Sequence, residues 1–150
     1  MSTDSSILAL IDTEFGSVGR PEHFAHHTHC CECAEHDDLL RSRDRDTLRV
    51  EDVNNPGWDP LCFCSPEGFA YFFPSLARFA LAKSRSGWYG DQLVFHLYSG
   101  FDENQFYRYC APSQRRAVSA LLAHLIETHS EDIEAGLGTD EFLRCHELWK

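Results

Sequence analysis

Ser65-Pro66-Glu67-Gly68-Phe69-Ala70-Tyr71-Phe72-Phe73-Pro74-Ser75-Leu76-Ala77-Arg78-Phe79-Ala80 is the stretch whose reading decides the fold. Its first three residues supply a polar cap, a proline for the first helical position and an acid for the first turn, the signals that open a helix. Behind them Phe69, Phe72, Phe73, Leu76, Phe79 and Ala80 follow i, i+3, i+4, i+7 spacing, so one broad apolar face runs along the segment. A helix this apolar belongs at the centre of the molecule. Pro74 removes the amide that would bond the Ala70 carbonyl, and a kink is expected there.

Downstream, Gly87 and Gly90 bracket a turn, and Asp91 to Tyr98 reads as a short apolar segment, either helix or strand, with helix favoured. Pro112 starts a helix with a stripe of Val118, Leu121, Leu122, Leu125 and Ile126, ending near Ser130. Thr139 caps a last one carrying Phe142, Leu143, Leu148 and Trp149. Upstream, Ile7, Leu8, Ile11 and Phe15 stand at helical spacing behind caps at Asp4 and Ser5. The second half of the stretch His23 to Arg41 lacks proline and glycine and is expected to run as a helix to about Asp44. Asn54-Asn-Pro-Gly-Trp-Asp-Pro60 is dense with turn formers, so residues 47–64 read as a long irregular connector, with Trp58 docking it on the core. The expectation is a mainly α chain: a single compact helical domain over residues 1–150, with about five or six helices.

The 150 residues are 43% hydrophobic and 13% aromatic, enough to pack one core. The formal charge of −11 opposes nucleic-acid binding, because 13 Lys and Arg are outnumbered by 24 Asp and Glu and each phosphate contact needs a cation. No segment approaches the roughly 20 apolar residues a bilayer span requires, and no basic leader precedes an apolar run. A soluble cytoplasmic protein is expected, with neither a membrane nor a nucleic acid as partner. Its seven cysteines are odd in number, and Cys30, Cys31, Cys33, Cys62 and Cys64 are bunched too tightly for a disulfide framework.

That bunching points to metal. A helix turning about 100° per residue through this region gathers His26, His29, Cys30, Cys33, His36 and Asp37 into an arc of roughly 120°, with Glu32 and Glu35 directed away. Zinc favours tetrahedral sets of thiolate and imidazole. Cys30-x-x-Cys33-x-x-His36 offers three ligands, and His29 completes the set, with His26, Cys62 and Cys64 as alternatives for the fourth position. The same face would serve equally as packed core with hydrogen-bonded imidazoles, since free cysteines are among the most buried residues and Leu40 shares it. Covalent chemistry would fall to Cys30, Cys31 or Cys33 beside a histidine, but no third member is fixed. Phosphate loops, H-E-x-x-H pairs and nucleophile elbows are absent from the sequence. Arg41, Arg43 and Arg45 alternate with Ser42 and Asp44 and suit a salt-bridged surface.

Cys30-Cys-Glu-Cys-Ala-Glu-His36, Asn55-Pro-Gly-Trp-Asp-Pro60, Ser65-Pro-Glu-Gly-Phe69 and Pro112-Ser-Gln-Arg-Arg116 together resemble a bacterial family of small, mostly helical proteins of unknown function. The resemblance spans residues 23–129 and implies a bacterial, cytoplasmic, α-helical protein, with no activity to carry over. Ala111 departs from the pattern, standing where a capping Thr or Ser would precede Pro112. The functional expectation is a non-enzymatic protein-binding module of the immunity or antitoxin type. Its acidic faces would sequester a basic protein, and a structural zinc would hold its cysteine cluster. The alternative is a zinc-dependent or cysteine-dependent enzyme centred on Cys30 to His36.

Overall fold

The computed structural model describes residues 2–83 and 87–150. Its central helix is the one the sequence opens at Ser65, whose Oγ accepts the Gly68 N–H at 3.1 Å. This helix, α4 in chain order, covers Pro66–Leu81, is continuous through Pro74 and buries Phe69, Phe72, Phe73 and Leu76. The first helix, α1 (Asp4–Phe15), buries Ile7, Ile11 and Phe15. Its cap is Thr3, where Oγ1 accepts the Ser6 N–H at 3.1 Å and the Thr3 N–H returns a bond to Ser6 Oγ at 2.9 Å. In α7 (Pro112–Thr128) Ala111 has no side chain to cap with. Gln114 compensates from inside the helix, its Oε1 accepting the Ala111 N–H at 2.9 Å and its Nε2 donating to the Glu14 carbonyl at 3.1 Å.

Helix α1 packs on α4 and α7, and α7 packs in turn on α9 (Thr139–Trp149). Phe106, on the short α6 (Gln105–Tyr109), ties these layers together. Its ring centroid lies 4.6 Å from Phe69, 5.3 Å from Phe73, 5.9 Å from Phe15 and 5.5 Å from Trp149. Trp149 is buried, and its Nε1–H donates to the Leu97 carbonyl at 2.9 Å, the polar partner an interior indole requires. Leu97 belongs to α5 (Gly90–Tyr98), a helix as read from the sequence. Among the described residues, the buried apolar side chains other than Ala25 and Cys33 form one cluster from Ile7 to Trp149.

The expected five or six helices become nine α-helices among the described residues. The additions are short. Beyond α6 they are α3 (Val50–Val53) and α8 (Ser130–Ala135), with 3-10 turns at Pro60–Phe63 and Phe101–Glu103. Two of these elements lie inside the expected irregular connector 47–64. The remaining helix, α2 (Cys31–Arg41), starts five residues later than the arc from His26 to Asp37 requires. His23 to Cys30 form instead a non-helical strap, held by an isolated antiparallel bridge between Ala25 and Cys64 and by the Ser65 N–H donating to the Phe24 carbonyl at 2.7 Å. Gly68 makes room for that strap, because a Cβ there would stand 2.7 Å from both Phe24 Cδ1 and Cys64 Sγ.

The arginines after α2 are not a uniform salt-bridged surface. Arg43 makes a forked pair with Asp52, at 2.9 and 3.2 Å. Arg45 instead clamps backbone carbonyls: Phe15 at 2.9 Å, Gly16 at 2.9 Å, Val18 at 3.1 Å and Tyr71 at 2.6 Å.

Candidate metal centre

Cys30 is the N-cap of α2, in extended conformation, with its Sγ accepting the Cys33 N–H at 3.4 Å. That geometry folds the two thiols together, 3.3 Å apart, and His29 Nδ1 lies 3.6 Å from Cys33 Sγ. All three donor atoms fall within 4.8 Å of one another; Cys33 is buried, while His29 and Cys30 are exposed. A tetrahedral zinc with Zn–S of about 2.3 Å and Zn–N of about 2.0 Å needs sulfur–sulfur edges of about 3.8 Å and sulfur–nitrogen edges of about 3.6 Å. The Cys33–His29 edge is already close to that length, and the thiol pair has to open by about half an ångström. The Cys30–His29 edge falls within 4.8 Å, so the three form a candidate metal-ligand group of donor types that zinc accepts.

The same contacts separate the two thiols electrically. The Cys33 backbone N–H, the His29 side chain and the Cys33 thiol lower the Cys30 pKa to about 7, a thiol pKa depressed at a helix N-terminus. Cys33 moves the other way, raised by its hydrogen bond to Cys30 and by burial.

His36 does not join this group. It is buried between Trp58 and Phe63, with ring centroids 4.2 and 4.9 Å away. Both its nitrogens lack a hydrogen-bond partner, although Nε2 comes within 3.4 Å of Glu32 Oε1. The reason is the late start of α2: with His29 outside the helix, the arc that would have aligned His36 with it does not exist. Among the alternatives for the fourth ligand, the exposed His26 has its ring 6.0 Å from that of His29. Cys64, whose backbone pairs with Ala25, is not among the donors that converge with His29, and burial raises its thiol far above the ordinary range.

Two further groups were not singled out by sequence. Asp37 holds the strap: its Oδ1 accepts the N–H groups of Phe24 at 2.6 Å and Ala25 at 3.1 Å, and Oδ2 pairs with His23 Nδ1 at 2.6 Å. Burial pushes this carboxyl up, but His23 and the two amides outweigh it and leave the pKa lowered. The His23 ring stacks on His27 at 3.7 Å, and these two imidazoles with Asp37 form another compact donor set.

The third group is Asp59, Cys62 and His96, again with donor atoms within 4.8 Å of one another. Burial and the charge of Asp59 push the Cys62 thiol up to about 11, so at neutral pH it is protonated and is no activated nucleophile. The acid before Pro60 was a legible signal for a capped turn, but nothing local announced His96, 37 residues away in sequence.

Comparison of the chain with protein-family models, with curated proteins and with solved structures finds no match. The resemblance drawn from its motifs rests on those motifs alone. No helix among the described residues is long and apolar enough to cross a membrane.

Proposed function

We propose that this chain is an acidic helical module that binds one zinc ion through His29, Cys30 and Cys33, with His26 as fourth ligand, and recognises a basic protein in the manner of an immunity protein or antitoxin. The convergence of one imidazole and two thiols within 4.8 Å carries this reading. The ion would join the end of the strap to the first turn of α2, which makes its role structural: a staple at a point outside the core cluster, which takes in Phe24 and Leu40 but not His29, Cys30 or Cys33. The partner half of the proposal draws on the charge of −11 and on a groove of about 490 Å³. The groove carries the exposed Phe95, Phe101 and Leu137 and is flanked by Asp91 and Glu141, an apolar patch with an acidic rim.

Elemental analysis of protein purified without a tag or chelator tests the metal. About one equivalent of zinc should be lost on Cys30→Ser/Cys33→Ser, and a total below about 0.3 equivalents, or one unchanged by that substitution, sinks the reading. Cys33→Ser should lose the zinc while keeping the helical circular-dichroism signal, because Cys33 contributes little to the central core. Co-purification from the native host should recover a basic protein whose binding weakens with salt.

The alternative, a cysteine-dependent enzyme at the same site, is favoured by one observation, the depressed Cys30 pKa beside a second thiol 3.3 Å away. Its chemistry would be thiol–disulfide exchange. The Cys30 thiolate attacks a substrate disulfide and releases one thiolate; Cys33 then displaces the second, leaving a Cys30–Cys33 disulfide that an external thiol must reduce. Turnover of a small aromatic disulfide by zinc-free protein, abolished in Cys30→Ser, would replace the first reading.

A further inference from the structure

We propose that Asp59, Cys62 and His96 form a second metal site, independent of the first, which takes a zinc-like divalent cation and turns an open coordination position into the cavity between α4, α5 and α6. The three residues bring one oxygen, one sulfur and one nitrogen donor within 4.8 Å of one another, the donor types zinc accepts.

Local structure explains the convergence. Asp59 caps the Pro60–Phe63 turn, its Oδ1 accepting the Leu61 N–H at 2.9 Å. Side chains three residues apart eclipse in a 3-10 turn, so Asp59 and Cys62 share a side. From α5, Gln92 and His96, one helical turn apart, both reach Asp59 Oδ2 at 2.7 Å.

Asp59 meets no lysine or arginine side chain among the described residues. It is 2% exposed, and its partners among the described residues are a backbone amide, a neutral carboxamide and an imidazole. Buried carboxylates are ordinarily paired with a cation or hold a metal, and a divalent ion between Asp59 and His96 would serve that role. A bound ion would take the place of the proton now shared by Asp59 Oδ2 and His96 Nε2, 2.7 Å apart.

Cys62 and His96 both line a cavity of about 290 Å³, whose other walls include Phe69, Phe95 and Phe106. With two of the three ligands facing the cavity, a water or small anion has room at the fourth position, as in catalytic zinc sites.

Cobalt(II) is the probe, used on the Cys30→Ser/Cys33→Ser protein so that the first site is removed. One equivalent should bind with a sulfur-to-cobalt charge-transfer absorption. Adding Cys62→Ser should abolish that band, and His96→Gln should weaken cobalt binding by about tenfold or more. Absence of the band in the double variant, or a band that survives Cys62→Ser, overturns the proposal. If substitution prevents folding, the unsubstituted protein decides. Saturating zinc should slow alkylation of Cys62 by at least about tenfold, read by peptide mass spectrometry, because a metal-bound thiolate is shielded. Equal rates with and without zinc overturn it, whatever happens at His29.

Discussion

Cys30 Sγ accepts the backbone N–H of Cys33 at 3.4 Å and stands 3.3 Å from the Cys33 thiol, so one residue caps α2 and confronts a second sulfur. The cap stabilises the thiolate. In chelator-treated protein, alkylation of Cys30 by iodoacetamide should follow an apparent pKa of about 7. Cys110 and Cys145, both pushed up to about 12 chiefly by burial, should lag behind it. Mass-spectrometric mapping across pH 5 to 10 reads both, and a Cys30 midpoint at the ordinary thiol value of about 8.5 contradicts the cap. The linkage has a definite sign. A thiol whose folded pKa is depressed contributes stability above its unfolded value, and this contribution is lost as pH falls through about 7.

His36 offers a test of which histidines serve metal. Its imidazole is buried between two aromatic rings with neither nitrogen hydrogen-bonded, a burden of about 1 to 3 kcal/mol for an unsatisfied polar group. Replacement by a ring without nitrogens should relieve it. His36→Phe is expected to unfold at equal or higher urea concentration than the parent and to keep its zinc, whereas His29→Ala should lose the metal. Zinc lost from His36→Phe would return this residue to the ligand set.

Legibility followed range. Helices α4 and α7 were readable because an apolar stripe over 16 or 17 residues is a local pattern, and Cys30-x-x-Cys33 because its spacing is local too. The four-, five- and six-residue helices α3, α6 and α8 are too short for periodicity to distinguish from a turn. The helix expected in the second half of His23–Arg41 is α2, but the ligand arc also assumed helix over His26 to Cys30, which the strap does not adopt. Phe24 and Ala25 give their amides to Asp37, and Ala25 pairs with Cys64, so tertiary bonds outbid the local preference. Asp37–His23 and Asp59–His96 depend on that same long-range closure and have no signature in any single window.

Asp37 should therefore matter to the strap and to acid stability together. Asp37→Asn keeps the shape but gives up a charge-assisted acceptor shared by two amides and His23, and should lower stability by about 1 to 3 kcal/mol in urea titrations. Because the folded carboxyl pKa is lowered, its contribution is complete above the unfolded value of about 3.9 and disappears as pH falls through the folded one. Parent and variant should converge in stability as pH falls below the folded carboxyl's lowered pKa. An undiminished gap there would mean the carboxylate charge is irrelevant.

Arg45 carries a heavier structural role than its place in an alternating charged run suggested. One guanidinium answers the carbonyls that end α1, Phe15 and Gly16, together with Val18 and Tyr71, and lies 4.5 Å over the Tyr71 ring. Its own carbonyl accepts from Ser75 Oγ at 2.7 Å and Arg78 Nη2 at 2.6 Å, so the loop after α2 is bolted to α1 and α4 at one residue. A planar fork with several donors can span these acceptors, and an ammonium on a flexible stem cannot. Arg45→Ala should lower stability by about 2 to 3 kcal/mol, and Arg45→Lys should recover less than half of that loss, because charge without the fork leaves carbonyls unanswered. Urea denaturation measures both. A lysine variant as stable as the parent would show that net charge alone holds this junction.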